Sequence, residues 1–147
     1  MVLSQQPEVI FHFNVNDRLE YACRLLRKAY QKGTQVLVLA DETLAHELDQ
    51  KLWTLTATEF IPHVRHDDPA DLCAKSPIVI NSTEYANFIW ERVLLNLRDA
   101  WPEGCEQCHR IIEVVTRDST VVSLARQRWK RYKSQGIEPQ YFDLSRS

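Results

Sequence analysis

The run Val36-Leu37-Val38-Leu39-Ala40 restricts this chain more than any other feature. Five successive apolar residues leave no polar face. Such a segment suits a strand covered on both sides, as in the interior of a parallel sheet. Parallel strands are joined by crossovers, usually helices, and helical patterns flank the run. Over residues 17–32 the apolar positions Leu19, Ala22, Cys23, Leu26, Ala29 and Tyr30 recur at helical spacing, and Gly33 ends the pattern. Beyond the run, Asp41 is placed to cap a second helix with the stripe Leu44, Leu48 and Leu52, finishing at Trp53.

The remaining segments fit the same plan. Residues 9–13 read as the first strand. Residues 60–63 read as a short third strand, which Pro62 confines to an edge. A polar loop is expected over residues 65–75, then strands at residues 77–80 and 92–97. Residues 82–90 are too few to assign. Residues 111–115 read as the last strand, leading into a C-terminal helix. Strands alternating with helices predict a three-layer α/β/α sandwich around a largely parallel sheet. The expected organisation is Rossmann-like, with residues 1–147 as one domain. The first strand-to-helix turn, Asn14-Val15-Asn16-Asp17, contains no glycine, so a nucleotide site is not expected there.

Composition narrows the function. The chain has 147 residues, 44% of them hydrophobic and 26% charged, which is enough for a real core. A formal net charge of −2 supplies no global attraction for nucleic acid or membrane, so any polyanion binding must be local. No basic segment followed by an apolar run opens the chain, and no apolar stretch nears the roughly 20 residues of a membrane span. The expectation is a cytoplasmic protein whose four cysteines are reduced thiols.

The C-terminal helix carries the local charge. Asp118 or Ser119 caps its start, and Gly136 suits a left-handed turn past its end. Val121, Val122, Leu124, Ala125, Trp129 and Tyr132 share a face that must pack on something. Arg126, Lys130 and Lys133 form a second stripe, and no acid occurs between Ser119 and Ile137. Such a helix is a candidate dock for an acidic ligand. The competing reading is a solvated basic face that complements the helix dipole.

Other chemistry is thinner. Cys105-Glu106-Gln107-Cys108-His109 matches a haem-attachment pattern, and the same residues could form a thiol or metal module. Zinc needs four ligands, and no second close Cys/His pair exists. Cysteines acting as small apolar residues are the simpler account. No nucleophile elbow or other catalytic signature appears. No metal or cofactor is called for.

Several segments together resemble the chi subunit family of bacterial DNA polymerase III. They are Phe11-His12-Phe13, Gly33-Thr34-Gln35-Val36-Leu37-Val38, Leu48-Asp49-Gln50-Lys51-Leu52-Trp53, Phe60-Ile61-Pro62-His63, Asn96-Leu97-Arg98, Ile112-Glu113-Val114-Val115 and the stretch from Arg126 through Lys133. They occur in order along nearly the whole chain. The resemblance implies a clamp-loader accessory subunit without catalysis of its own, belonging to a DNA-directed DNA polymerase holoenzyme. It implies one surface for the psi subunit, with Phe60 and Pro62. It implies another for the acidic C-terminal tail of single-stranded DNA-binding protein, which ends in a phenylalanine carboxylate, with Arg126, Lys130, Lys133 and Trp53. A repair helicase is a further partner to consider; specific nucleic-acid contact and membrane binding are not expected. One departure stands out: Val122 occupies a position where relatives carry a lysine, a charge that Lys130 or Lys133 would have to supply.

Overall fold

The computed structural model describes residues 6–53, 62–65, 76–82, 93–102, 105 and 108–146. Its elements in chain order are β1 (Glu8–Val15), α1 (Arg18–Gln31), β2 (Val36–Leu39), α2 (Glu42–Trp53), β3 (Val64–Arg65), β4 (Ile78–Asn81), β5 (Val93–Asn96), β6 (Arg110–Thr116), α3 (Ser119–Ser134) and β7 (Gln140–Asp143). The strands form one sheet in the order β3-β4-β2-β5-β6-β1-β7, and every pairing is parallel. The expected α/β sandwich is the architecture found.

Alternation along β2 builds both halves of the core. Val36 and Val38 face one side, where they meet Ala22, Cys23 and Leu26 of α1 and Ala45, Leu48 and Leu52 of α2. Leu37 and Leu39 face the other side, with Phe11, Val79, Leu94, Val115 and the α3 residues Ala125 and Tyr132. All four residues of β2 are buried, as the apolar run requires. Thus α1 and α2 cover one face of the sheet and α3 the other.

Local chemistry sets the helix ends. Asp17 accepts from the Glu20 amide, Asp41 from Leu44, and Asp118 from Thr120 and Val121. At the far ends Gly33 (φ 74°) and Gly136 (φ 84°) take left-handed backbone. The paired returns Thr34 N–H to Ala29 O and Gly33 N–H to Tyr30 O close α1. Ile137 N–H to Tyr132 O and Gly136 N–H to Lys133 O close α3.

Three expectations change. The strand at residues 111–115 is not the last, because β7 follows α3 and pairs with β1. β7 is short and exposed along most of its length, so it lacks the apolar alternation that marks a strand in sequence. The third strand is Val64–Arg65, which begins after Pro62 and His63, since proline has no N–H for the ladder. Phe60 and Ile61 lie outside the described residues, as do residues 66–75 of the expected loop and the unassigned residues 83–90. Finally, the α3 face expected to pack is only partly covered: Ala125 and Tyr132 are buried, whereas Val121, Val122 and Trp129 pack at the edge of the core.

Candidate functional site

The five cations of α3 have different fates. Arg128 is buried. Its Nε donates to Glu113 at 3.2 Å and its Nη1 to the Asp99 carbonyl at 2.6 Å. Glu113 is also fully buried, and it accepts from Asn96 at 2.9 Å and from the Tyr132 hydroxyl at 2.9 Å. Burial pushes the Glu113 carboxyl above its usual range, and Arg128 and the donated hydrogen bonds oppose that push. Arg131 lies over the Trp101 ring, 4.1 Å from its centroid, a cation–π contact. Lys133 approaches Glu138 at 3.8 Å, with both side chains well exposed, a pair of little strength. Arg126 and Lys130 are exposed and form no ion pair among the described residues.

Helical spacing puts Trp129 on the stripe of Arg126, Lys130 and Lys133. Its ring centroid is 6.3 Å from Phe13 and 6.4 Å from Tyr141, and those two rings are 6.4 Å apart. Phe13 and Trp129 are half-buried, and Tyr141 is 64% exposed. Phe11, at 5.1 Å from Trp129, backs the group from the core. A shallow aromatic platform therefore adjoins two exposed cations with no ion pair among the described residues. Sequence reading missed Phe13 and Tyr141, because β1 and β7 come together only through the sheet.

The structure does not bring Trp53 to this platform. Trp53 ends α2, on the opposite face of the sheet, and is 54% exposed. Its ring packs edge-on against His63 at 5.2 Å. The His63 side chain is fully buried, and its Nε2 is 2.8 Å from Asp49 Oδ1. Pro62, half-buried, adjoins His63 in the chain. Trp53 and Pro62 thus belong to one region, and Arg126, Lys130 and Lys133 to another. Phe60 lies outside the described residues.

The remaining hollows and thiols carry less. A hollow of about 510 Å³ lies between the starts of α1 and α2 and is lined by Asp17, Arg18, Asp41, Glu42 and Glu47 among others. Ligands of open α/β sheets bind at such strand ends. Here Asp17 and Asp41 already occupy the helix-terminal amides that a phosphate would use. The surplus of carboxylates would also repel an anion. Cys105 and Cys108 are buried in the core on the α3 side, whereas His109 is exposed, so packing explains the cysteines. No cluster of metal-ligating side chains occurs among the described residues. Burial also raises the Cys23 thiol to about 11, against reactivity. No described helix is long and apolar enough to cross a membrane.

Fold and site together define a class: a Rossmann-like parallel α/β domain with an acidic strand-end hollow and an exposed cationic stripe on the C-terminal helix. Comparison with known proteins then gives the family. A family model described as DNA polymerase III chi subunit, HolC, matches residues 7–140, and the chain belongs to that family. It is 32% identical over 130 residues to the DNA polymerase III subunit chi of Pseudomonas aeruginosa, covering 88% of each chain. It is 30% identical over 118 residues to that of Haemophilus influenzae, covering 80% of this chain and 81% of the relative. It is 24% identical over 120 residues to that of Escherichia coli, covering 80% of each. Its role is in DNA replication.

Proposed function

We propose that this chain is a non-catalytic adaptor of the DNA polymerase III holoenzyme, working in the cytoplasm. One surface binds the acidic C-terminal tail of single-stranded DNA-binding protein. The other binds the psi subunit and so joins the clamp loader. The observation that carries the tail site is the pairing of Arg126 and Lys130, exposed and without ion partners among the described residues, with the Phe13–Trp129–Tyr141 platform.

The mechanism is physical. The cations draw in an acidic peptide, and a guanidinium pairs with a carboxylate, best in bidentate fashion. An aromatic side chain at the peptide's end then stacks on the platform and supplies much of the hold. So few interactions give a weak site, micromolar or about −8 kcal/mol. A partner displaying several tails compensates through local concentration. Lys133 takes part once it leaves Glu138, and its weak pair makes that easy.

Arg126→Ala is the direct test. Deleting one charged hydrogen bond between peptide and protein lowers the affinity by about tenfold to a hundredfold. Calorimetry with an Asp-rich peptide ending in a phenylalanine carboxylate should show that loss, with the melting temperature unchanged. Wild-type affinity in the variant refutes the role. Raising salt should weaken the wild-type complex, because the charges are exposed.

The psi surface lies with Trp53, Phe60 and Pro62. What supports it is an exposed tryptophan held against a buried histidine, itself held by Asp49. Large aromatic rings fixed in place are the usual anchors of protein interfaces. Trp53 goes with this surface rather than with the tail, because α2 and α3 cover opposite faces of the sheet.

A further inference from the structure

We propose that the acidic peptide binds as an added strand along the outer side of β7, with alternate side chains falling on the two faces of the sheet edge. This rests on the tail-site reading above and adds the mode of binding to it.

β7 ends the sheet among the described strands, so its outward N–H and C=O groups have no strand beyond them. Edge strands of this kind are a template for pairing with another chain. β7 is bare in a particular way. Tyr141 points to the α3 face, beside Phe13 and Trp129. Phe142 points to the α1 face, over His12 at 6.0 Å, and His12 in turn bonds the Tyr21 hydroxyl. The two aromatics are 64% and 52% exposed. An extended peptide lying against β7 would rest one residue on Tyr141 and the next on Phe142, the arrangement used in recognition by strand addition.

Side-chain hydrogen bonds hold the edge in place. Asn14, in left-handed backbone at φ 64°, donates to Asp143 at 2.7 Å. Asp143 also accepts from the Ser145 amide and hydroxyl. The C-terminal end of β7 is thus clamped to β1. Charge selects the occupant. Arg126 and Lys130 lie only on the α3 side, so the peptide's carboxylates should alternate toward that face. Its intervening apolar residues should lie over Phe142.

The test compares two perturbations that act on opposite sides of the sheet. The probe is a synthetic peptide of alternating Asp and apolar residues ending in a phenylalanine carboxylate, titrated into the full chain by calorimetry. Phe142→Ala, on the face away from the cations, should weaken it by about three- to tenfold, the loss of one aromatic pairing. The same peptide N-methylated at alternate amides should lose about tenfold against the unaltered protein, which cannot be blamed on misfolding. If Arg126→Ala abolishes binding while both these changes leave it intact, the tail site stands and strand addition is overturned. If the unmodified peptide does not bind the wild-type chain, the tail reading fails and takes this inference with it. Sedimentation showing a dimer that the peptide does not dissociate, and that Phe142→Ala abolishes, also overturns it, because the edge would then serve a second copy.

Discussion

Two arginines two residues apart on one helix should respond to mutation in opposite ways. Arg128 is 4% exposed and holds a fully buried carboxylate. In Arg128→Ala, Glu113 keeps only its bonds from Asn96 and Tyr132, and the Asp99 carbonyl loses its donor. Breaking a buried pair from one side costs about 3–5 kcal/mol. That is a large part of the roughly 5–15 kcal/mol that holds a domain together. At about 2–4 °C per kcal/mol for a chain near this size, the melting temperature should fall by on the order of 10 °C. Arg126→Ala should leave it where it is, because that side chain is exposed and forms no ion pair among the described residues. Thermal unfolding followed by tryptophan fluorescence measures both, and urea unfolding gives the free energies. Replacing both partners, as Arg128→Met with Glu113→Leu, should recover much of the loss, because the penalty is an orphaned charge and not a missing attraction. An Arg128→Ala protein as stable as the parent would refute the account, as would a double variant worse than both singles together.

The other predictions concern separate parts of the molecule. Trp53→Ala should abolish co-purification with a psi subunit while leaving the acidic peptide's affinity unchanged; loss of both would put Trp53 with the tail after all. Gly136→Ala should cost about 1–2 kcal/mol in urea unfolding, since a side chain at φ 84° is strained whatever space surrounds it. A variant as stable as the parent would mean that the turn relaxes. His12 sets a pH dependence. Burial, and then the Arg110 charge, lower its pKa below the ordinary 6.5. The unfolded chain therefore takes up the proton first, so His12 costs nothing above pH 6.5 and destabilises the fold as pH falls below it, down to the lowered folded value. His12→Gln should remove that share of the decline in unfolding midpoints between pH 8 and pH 5; identical slopes for variant and parent would refute it.

Much of the fold was legible because it depends on residues near one another in sequence. The unbroken apolar run of β2 announced an interior parallel strand. The stripes of α1 and α2 and the capping aspartates Asp41 and Asp118 follow from helical period and orphaned amides. Glycine at 33 and 136 marked where helices stop. The cationic stripe of Arg126, Lys130 and Lys133 on α3 was visible too, though not that Lys133 lies near Glu138. Spacing left Arg128 and Arg131 off that stripe without saying what either would meet.

Tertiary structure decided the rest. Arg128 is structural because Glu113 of β6 lies beneath it, a partner 15 residues away that only packing supplies. Arg131 is occupied because the turn after β5 sets Trp101 under it. β7 exists because β1 offers an open edge, and the platform of Phe13, Trp129 and Tyr141 joins three separate elements. Trp53 parts from the basic stripe because successive crossovers lay α2 and α3 on opposite faces of the sheet. Periodicity records which face of an element is apolar; which elements then become neighbours depends on long-range pairing that no local window contains.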